Sequence, residues 1–440
     1  MRRNIRWLAG IVLFLLSLPS GWVWAAGFAL FEAGARAMAR AGAFVATADD
    51  PSAIFFNPAG LAFQTPKWQV YGGATLIVPN VKFEGANPFP GEGVTHDLKT
   101  KVFLPPNLYL TYKIHDRVTA GVGVFSAFGL GTEWEDPANF TGRYLSFDSG
   151  LQTFSLQPTA AVKVSDQLAV GAGLEVRFSK VTLNRYLPFF DPFRFAVVDA
   201  ARVRLESDWA LSVGFAAGLL YRITDRLRFG IAYRHHMTPD LEGELTLERL
   251  PTGNPALDAL LSAALPQQPL KARASHFAFP KELLLGVGLS PWDTWDFELD
   301  VYWTQWSRFE SIFLEVPDQP TFNQEVSEDY EDTFAVRLGV EKRLNPQWSL
   351  MGGFFLDQNP VPIQSVDPVL PDADRWGVTL GVAYRRGPWR VELTEFLLFF
   401  RNRTVTPDRC EAERVVCNRG YFGTYKNFTN LLGINVGYQF

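Results

Sequence analysis

Apolar and polar residues alternate along many stretches of this chain. In the segment 374–385 every second residue is large and apolar, and those between are mostly small or polar. The same period of two recurs in 295–304, 333–341 and 428–440, where any charged residue falls on the second face. Only an extended strand places alternate side chains on opposite faces. The pattern therefore predicts an all-β chain with one apolar and one polar face.

The connections between these segments alternate in length. The short ones are 115–117, 165–167, 224–226, 291–294, 345–347 and 386–388, and the long irregular ones are 80–104, 129–150, 184–205, 238–276, 307–331, 358–372 and 402–427. Strand pattern alone would also suit a soluble sandwich, but outer-membrane barrels combine an even strand number with short periplasmic turns and long outer loops. We therefore predict a transmembrane antiparallel β-barrel of about 14 strands in 65–440. The preceding segment, 26–64, is predicted to be an N-terminal plug, or hatch.

The first 25 residues are predicted to be a signal peptide. Arg2, Arg3 and Arg6 precede an apolar run over 7–18, and small residues follow before Ala26. A retained membrane anchor is the alternative, but the run is shorter than the ~20 residues that a spanning helix needs. No later apolar run has that length, so a helical inner-membrane protein is excluded. We expect a multi-pass barrel in the outer membrane of a Gram-negative cell.

Composition restricts the partners. The 440 residues are 47% hydrophobic and 20% charged with a net charge of -5, which excludes a disordered chain and argues against nucleic acid. Cys410 and Cys417 lie close together in a polar segment, and in an exported protein such a pair is expected to form a disulfide. Two thiols without a nearby histidine are too few for a metal site. We expect neither a metal nor a cofactor.

Two of the long loops are unusually apolar. One contains Phe189, Phe190, Phe193 and Phe195, and the other contains Leu257, Leu260 and Leu261. Exposed apolar surface on an exported protein indicates a binding groove. Separately, Gly129 and Gly131 follow the strand predicted over 118–128, where glycine permits a bend or break.

Several sequence runs resemble the FadL family of outer-membrane transporters for long-chain fatty acids and other hydrophobic compounds, aromatic hydrocarbons included. They are Ala26-Gly27-Phe28, TADDPSAIFFNPAGLAF (47–63), FGLGTEW (128–134), WTQWSRF (303–309), DQNPVP (357–362) and PDADRWGVTLGVAYR (371–385). The resemblance covers the whole mature chain, and the runs occur in the family's order.

The resemblance implies a hatch-closed barrel that captures its ligand between the third and fourth outer loops, the two apolar loops above. The ligand then enters a pocket and leaves sideways through a gap at a kink in the third strand. Asn57, Pro58 and Ala59 would lie in the hatch beside that gap, although such a triplet also suits a plain turn. Phe128 and Gly129 would mark the kink. Phe28 would belong to a mobile N-terminus that closes the pocket.

The resemblance thus implies passive uptake of long-chain fatty acids by a protein that is not an enzyme. Fatty-acid members bind the carboxylate with basic side chains, whereas the stretch 325–332 is acidic here. Arg177 and Lys180 are candidates for that contact, unless acids such as Glu298 or Asp300 pair with the arginine. Aromatic hydrocarbons, which need no cation, are the nearer alternative. The expected partners are a hydrophobic small molecule and outer-membrane lipid, and the simplest expectation is a monomer.

Two more distant alternatives stay open. An outer-membrane lipid hydrolase would need a nucleophile oriented by a base, but the five histidines, at 96, 115, 235, 236 and 276, lie in or near loops and turns without a GxSxG elbow. A general porin would have polar loops and no plug, and sugars would permeate it.

Overall fold

The computed structural model describes residues 27–417 and 419–440. The predicted signal peptide and Ala26 lie outside these ranges. The described helices are α1 Ala35–Ala39, α2 Ala53–Phe56, α3 Pro255–Ala264 and α4 Pro407–Ala412, with short 3-10 turns that include Pro58–Phe63. None of the described helices is long and apolar enough to cross a membrane.

The strands in the described ranges are β1 Trp68–Gly85, β2 Thr95–Asp97, β3 Pro106–His115, β4 Val118–Phe125, β5 Gly129–Glu133, β6 Asp148–Lys163, β7 Leu168–Asp191, β8 Ala196–Ser207, β9 Ala210–Thr224, β10 Leu227–Arg234, β11 Leu241–Arg249, β12 Leu270–Ser275, β13 Glu282–Trp292, β14 Trp295–Thr304, β15 Ser311–Glu315, β16 Gln324–Ser327, β17 Thr333–Arg343, β18 Trp348–Asp357, β19 Arg375–Arg386, β20 Trp389–Phe400, β21 Arg403–Val405 and β22 Gly423–Gln439.

Fourteen of these strands form a closed antiparallel wall. Their order is β1, β3, β4, β6, β7, β9, β10, β13, β14, β17, β18, β19, β20 and β22. The wall closes where β22 pairs with β1 from Gln439↔Gln69 to Gly423↔Gly85. The predicted barrel and its strand number are confirmed.

The alternating sequence determines which way each side chain points. Along β14 every second residue is buried toward the lumen, and the charged residues lie on that buried side. Outward positions are apolar, such as Leu380, which is 71% exposed. Aromatic pairs at the end with the short turns include Trp348 with Tyr384 and Trp389 with Tyr438, with ring centroids 4.6 Å apart in both pairs. Such girdles suit the interface between membrane and water.

The segment 27–64 lies inside the barrel and is held by the polar inner faces of the strands. Arg36 Nη2 lies 2.8 Å from Glu341 Oε2, and Arg40 Nη2 lies 2.9 Å from Asp296 Oδ1. Asp300 Oδ2 accepts a hydrogen bond from the backbone N–H of Phe44 at 2.8 Å. Because buried charges need partners, the inner face and this segment stabilise each other.

The same sheet extends beyond the barrel wall on the side of the long loops. Strand β7 continues beyond its pairing with β9 and pairs with β8, and β11, β12, β15 and β16 follow in order. Helix α3 packs on this extension through Leu257 and Leu261. A disulfide joins Cys410 and Cys417, with their Cα atoms 6.0 Å apart, and closes a turn of the loop between β20 and β22.

Candidate functional site

An apolar cavity of about 250 Å³, here called the upper cavity, lies between the lumen and the sheet extension. Its walls come from β7, β8, β11, β12, β15 and β16, and most of its lining is aliphatic or aromatic, as at Leu183, Leu241, Ile312 and Phe309. These positions face inward because the strand alternation of the wall continues into the extension. The cavity can hold a hydrophobic molecule.

Arg185 is a cation of the upper cavity that forms no ion pair with the described residues. It lines the cavity on β7, and its Nη2 donates to Gln324 Oε1 at 3.0 Å. Its Nε is enclosed without a hydrogen-bond partner, and within 27–417 and 419–440 it has no carboxylate partner. Burial lowers the pKa of the Arg185 guanidinium. A cation in this setting is suited to bind an anionic group on an otherwise apolar ligand.

Three charged residues from three different loops form one wall of the same cavity. Arg419 Nη2 lies 3.1 Å from Glu328 Oε1, and Arg419 Nε lies 3.5 Å from Asp367 Oδ2. Burial and the neighbouring Asp367 raise the pKa of Glu328, and burial raises the pKa of Asp367. Because one guanidinium balances two carboxyl groups, this wall does not offer a free cation.

Phe28 lies at the boundary between the upper cavity and a second one. Its ring lines both cavities and packs in an aromatic cage, 4.7 Å from Trp306, 5.6 Å from Phe309 and 5.9 Å from Phe128 between ring centroids. Gly27 N–H donates to Asp372 Oδ2 at 2.9 Å, which anchors the residue before Phe28.

The second cavity, here called the side cavity, has a volume of about 690 Å³ and extends from the lumen to the wall strands around Gly129. It lies where the third wall strand is interrupted: β4 ends at Phe125, β5 begins at Gly129, and both pair with β6. The other edge of β4 pairs with β3. At the far end of β5, by contrast, the carbonyl oxygen of Glu133 accepts a hydrogen bond from the backbone N–H of Lys99. The exposed side chains of Val102 and Leu104 lie at this opening.

The break is bridged from inside by the N-terminal segment. Gly129 N–H donates to Phe28 O at 3.0 Å, and Leu30 N–H donates to Ala127 O at 2.9 Å. Phe128 and Gly129, the predicted kink residues, therefore lie at the interruption and next to Phe28.

The two predicted carboxylate-binding residues are both paired with acids. Arg177 Nη2 lies 2.6 Å from Glu175 Oε1, and Lys180 Nζ lies 2.6 Å from Glu206 Oε1. Neither lines the upper or the side cavity. The prediction that they face the ligand is thus at odds with the structure, because intramolecular carboxylates already neutralise both. Glu298 and Asp300, the acids considered for Arg177, bind the hatch instead.

The signal for Arg185 was present in the sequence. The sequence prediction places 184–205 in a loop, so the predicted strand ends too early. In the structure the odd-numbered residues of β7 continue to face inward through Leu183 to Arg185.

The predicted capture residues form a separate apolar surface at the tip of the extension. Leu257 and Leu261 are buried against Ala200 with the half-buried Phe189. Phe190, Phe193, Phe195 and Leu260 are exposed, Phe195 by 83%. None of these residues lines the upper cavity.

The Asn57-Pro58-Ala59 triplet lies away from the break. Asn57 Nδ2 donates to Val45 O at 2.8 Å and to Leu219 O of β9 at 3.1 Å. A side chain at Gly171 of β7 would collide with the Pro58 carbonyl. Through the ladder, Gly171 is level with Thr119 of β4, six residues before the strand ends at Phe125, or about 20 Å along it. The implied place beside the gap is therefore wrong, because the triplet packs against β7 and β9.

None of the five histidines lines either cavity. Within the described ranges, no group of three or more His, Cys, Asp or Glu side chains is arranged to hold a metal ion.

Comparisons with known proteins agree with this architecture. The family described as outer membrane protein transport protein (OMPP1/FadL/TodX) matches residues 16–440. A long-chain fatty acid transport protein of Escherichia coli O6:H1 is 24% identical over 392 residues, covering 84% of this chain and 85% of the relative. Putative outer membrane protein NMB0088 of Neisseria meningitidis is 25% identical and covers 95% of both chains.

Solved structures share the fold. A Pseudomonas aeruginosa FadL homologue superposes with a TM-score of 0.81 at 22% identity, over 94% of this chain and 100% of that one. The Pseudomonas putida toluene transporter TodX superposes with a TM-score of 0.73 at 18% identity, over 93% and 99%. With the family match spanning nearly the whole sequence, this outer-membrane β-barrel belongs to the OMPP1/FadL/TodX family of outer-membrane transport proteins.

Proposed function

We propose that this protein takes up long-chain fatty acids by passive diffusion and delivers them sideways into the outer membrane. The single observation that carries the proposal is Arg185, a guanidinium without a carboxylate partner among the described residues, in a cavity whose lining is mostly apolar. Burying an acyl chain there gains roughly 0.8 kcal/mol per CH₂, and the guanidinium supplies the partner for a carboxylate. Relatives named as long-chain fatty acid transport proteins support this choice.

In the proposed route, the exposed phenylalanines 190, 193 and 195 with Leu260 capture the ligand, and Phe189, Leu257 and Leu261 hold that surface in shape. The ligand then enters the upper cavity, displaces Phe28, and passes through the side cavity at Phe128 and Gly129 to lipid. The hatch, with Asn57, Pro58 and Ala59 as its fixed turn, blocks the lumen. No step needs a bond to be made or broken, so the protein acts without catalysis. One chain contains the whole route, and we propose that it works as a monomer.

Aromatic hydrocarbon uptake by the same route is the second candidate. The likeness to toluene transporters and the modest volume of the upper cavity favour it. A neutral hydrocarbon would make no use of Arg185, and this difference separates the two candidates.

Uptake by proteoliposomes that enclose a fatty-acid-binding protein tests the proposal. The substrates are a long-chain fatty acid, its methyl ester and toluene, and sucrose swelling serves as the control for an open pore. Faster uptake of the acid than of the ester supports the proposal. Equal uptake of acid and ester, or uptake of toluene alone, would favour the second candidate, and sucrose permeation would contradict a closed hatch.

A further inference from the structure

Arg177 belongs to a buried, electrically balanced cluster. Glu175 accepts hydrogen bonds from Arg177 Nη2 and from Ser155 Oγ, both at 2.6 Å, and a third from Arg234 Nη1. Glu282 lies 3.4 Å from Arg234 Nε. Two carboxylates thus face two guanidinium groups, so this cluster has no unbalanced charge for a ligand.

The Arg177 guanidinium packs against aromatic rings at the wall break. Its Cζ lies 4.6 Å from the ring centroid of Phe128 and 4.6 Å from that of Phe279. Arg177 is only 1% exposed. Cation–π contacts strengthen when water is excluded, so this packing holds the Phe128 ring inward.

The same cluster reaches the hatch. Arg234 Nη2 donates to the carbonyl of Phe55 at 3.0 Å, and its guanidinium lies over the rings of Phe55 and Phe125 at 4.5 Å and 5.5 Å. Phe125 is the last residue of β4 before the break. One buried cluster therefore contacts the hatch, the end of β4 and Phe128.

We propose that Arg177 is a positioning residue that keeps Phe128 turned inward and thereby sets how readily the side exit opens. This inference rests on the proposed function. The N-terminal hydrogen bonds across the break are lost once a ligand displaces the segment around Phe28. The Thr153 hydroxyl still bonds the Phe128 backbone at 2.6 Å, and Arg177 still holds its ring.

Substituting Arg177→Met removes the cation and leaves Glu175 bonded to Ser155 and Arg234. We expect hydrogen exchange of the backbone amides at 127–130 to be roughly 5- to 30-fold faster in the ligand-free variant. This is the factor expected from the loss of one or two desolvated cation–π contacts. Amides of the β1–β22 seam should exchange at the parent rate. Arg40→Met is the matched control, since it also removes a buried cation at the contact between hatch and wall, and Arg40 contacts neither Phe128 nor Phe279.

Release of preloaded fatty acid from proteoliposomes supplies the second measurement. It should accelerate in Arg177→Met by a similar factor while half-saturation of capture stays at the parent value. Arg177→Lys, which keeps the charge beside Glu175 but loses the flat face, should fall between. In the double variant with Phe128→Leu the two effects should not add, because both remove the same contact.

Parent-like exchange at 127–130 in Arg177→Met, equal acceleration in Arg40→Met, or additive effects in the double variant would overturn the inference. Faster exchange in Arg177→Met without any fatty-acid transport by the parent protein would support the positioning role and refute the proposed function.

Discussion

Replacing Arg185 with methionine should selectively weaken binding of ligands that carry a carboxylate. Methionine keeps an apolar chain against the cavity wall and removes the guanidinium. A hydrogen bond involving a charged group contributes about 1.5–3 kcal/mol, and 1.4 kcal/mol is tenfold in Kd. We therefore expect the Kd of a long-chain fatty acid to rise roughly 10- to 150-fold in Arg185→Met, with the Kd of its methyl ester nearly unchanged.

The assay is equilibrium binding of the acid and the ester to the protein in nanodiscs, with empty nanodiscs subtracted for partition into lipid. Arg273→Met is the matched control, because Arg273 lines the same cavity but its Nη2 lies 2.8 Å from Asp240 Oδ1. Equal affinity of the parent for acid and ester would refute the reasoning, as would equal weakening of both ligands in Arg185→Met.

Three further predictions concern the capture surface, the hatch and the charged wall of the upper cavity that contains Glu328. Replacing Phe189 and Phe190 with serine should weaken capture roughly three- to tenfold without unfolding the barrel; unchanged uptake kinetics would contradict the capture role, and Phe190→Ser alone separates surface contact from the packing of Phe189 on α3. Asn57→Ala removes the donor to the buried carbonyl of Val45 and a hydrogen bond to Leu219 O, which costs about 1–3 kcal/mol, so transport should change while binding in the upper cavity persists; equal loss of both would argue against a role in the hatch. Burial and Asp367 raise the pKa of Glu328, so the folded protein binds the Glu328 proton more tightly than the unfolded chain does. Amide protection of the loop 401–422 should therefore fall as pH rises through that raised pKa. Glu328→Gln should abolish this pH dependence, and a pH dependence that persists in the variant would assign the effect to another group.

The barrel could be predicted from the sequence because two independent patterns agree. Alternation at positions such as Trp376, Val378 and Leu380 shows which residues face lipid. Short and long connections also alternate regularly along the chain, and counting them gives the number of strands. Both patterns are local, so one sequence suffices to read them.

The site was harder to predict because it depends on which side chains meet across the lumen. Arg177 and Lys180 have the charge that a carboxylate ligand needs, yet Glu175 and Glu206 neutralise them. Glu175 lies two positions before Arg177, on the same face of β7, and this spacing could have indicated the pair. Glu206 comes from another strand, so no local pattern indicates it. Arg185 is not among the predicted site residues because β7 extends beyond the barrel wall, whereas the predicted strand ends before residue 184.

The seam that closes the wall joins residues far apart in the sequence. The 17 paired positions between β1 and β22 link residues such as Gln69 and Gln439, whereas β3 and β4 share only 7 pairs beside the break. Contacts of such long sequence separation form slowly, because a large loop must close before any of them stabilises the chain. Until then both terminal strands have open edges that can pair with other chains. Folding of this protein should therefore depend on protection of those two edges during membrane insertion, and the two short ladders of β3, with 7 pairs each to β4 and to β1, should be the first parts of the wall to separate under heat or force.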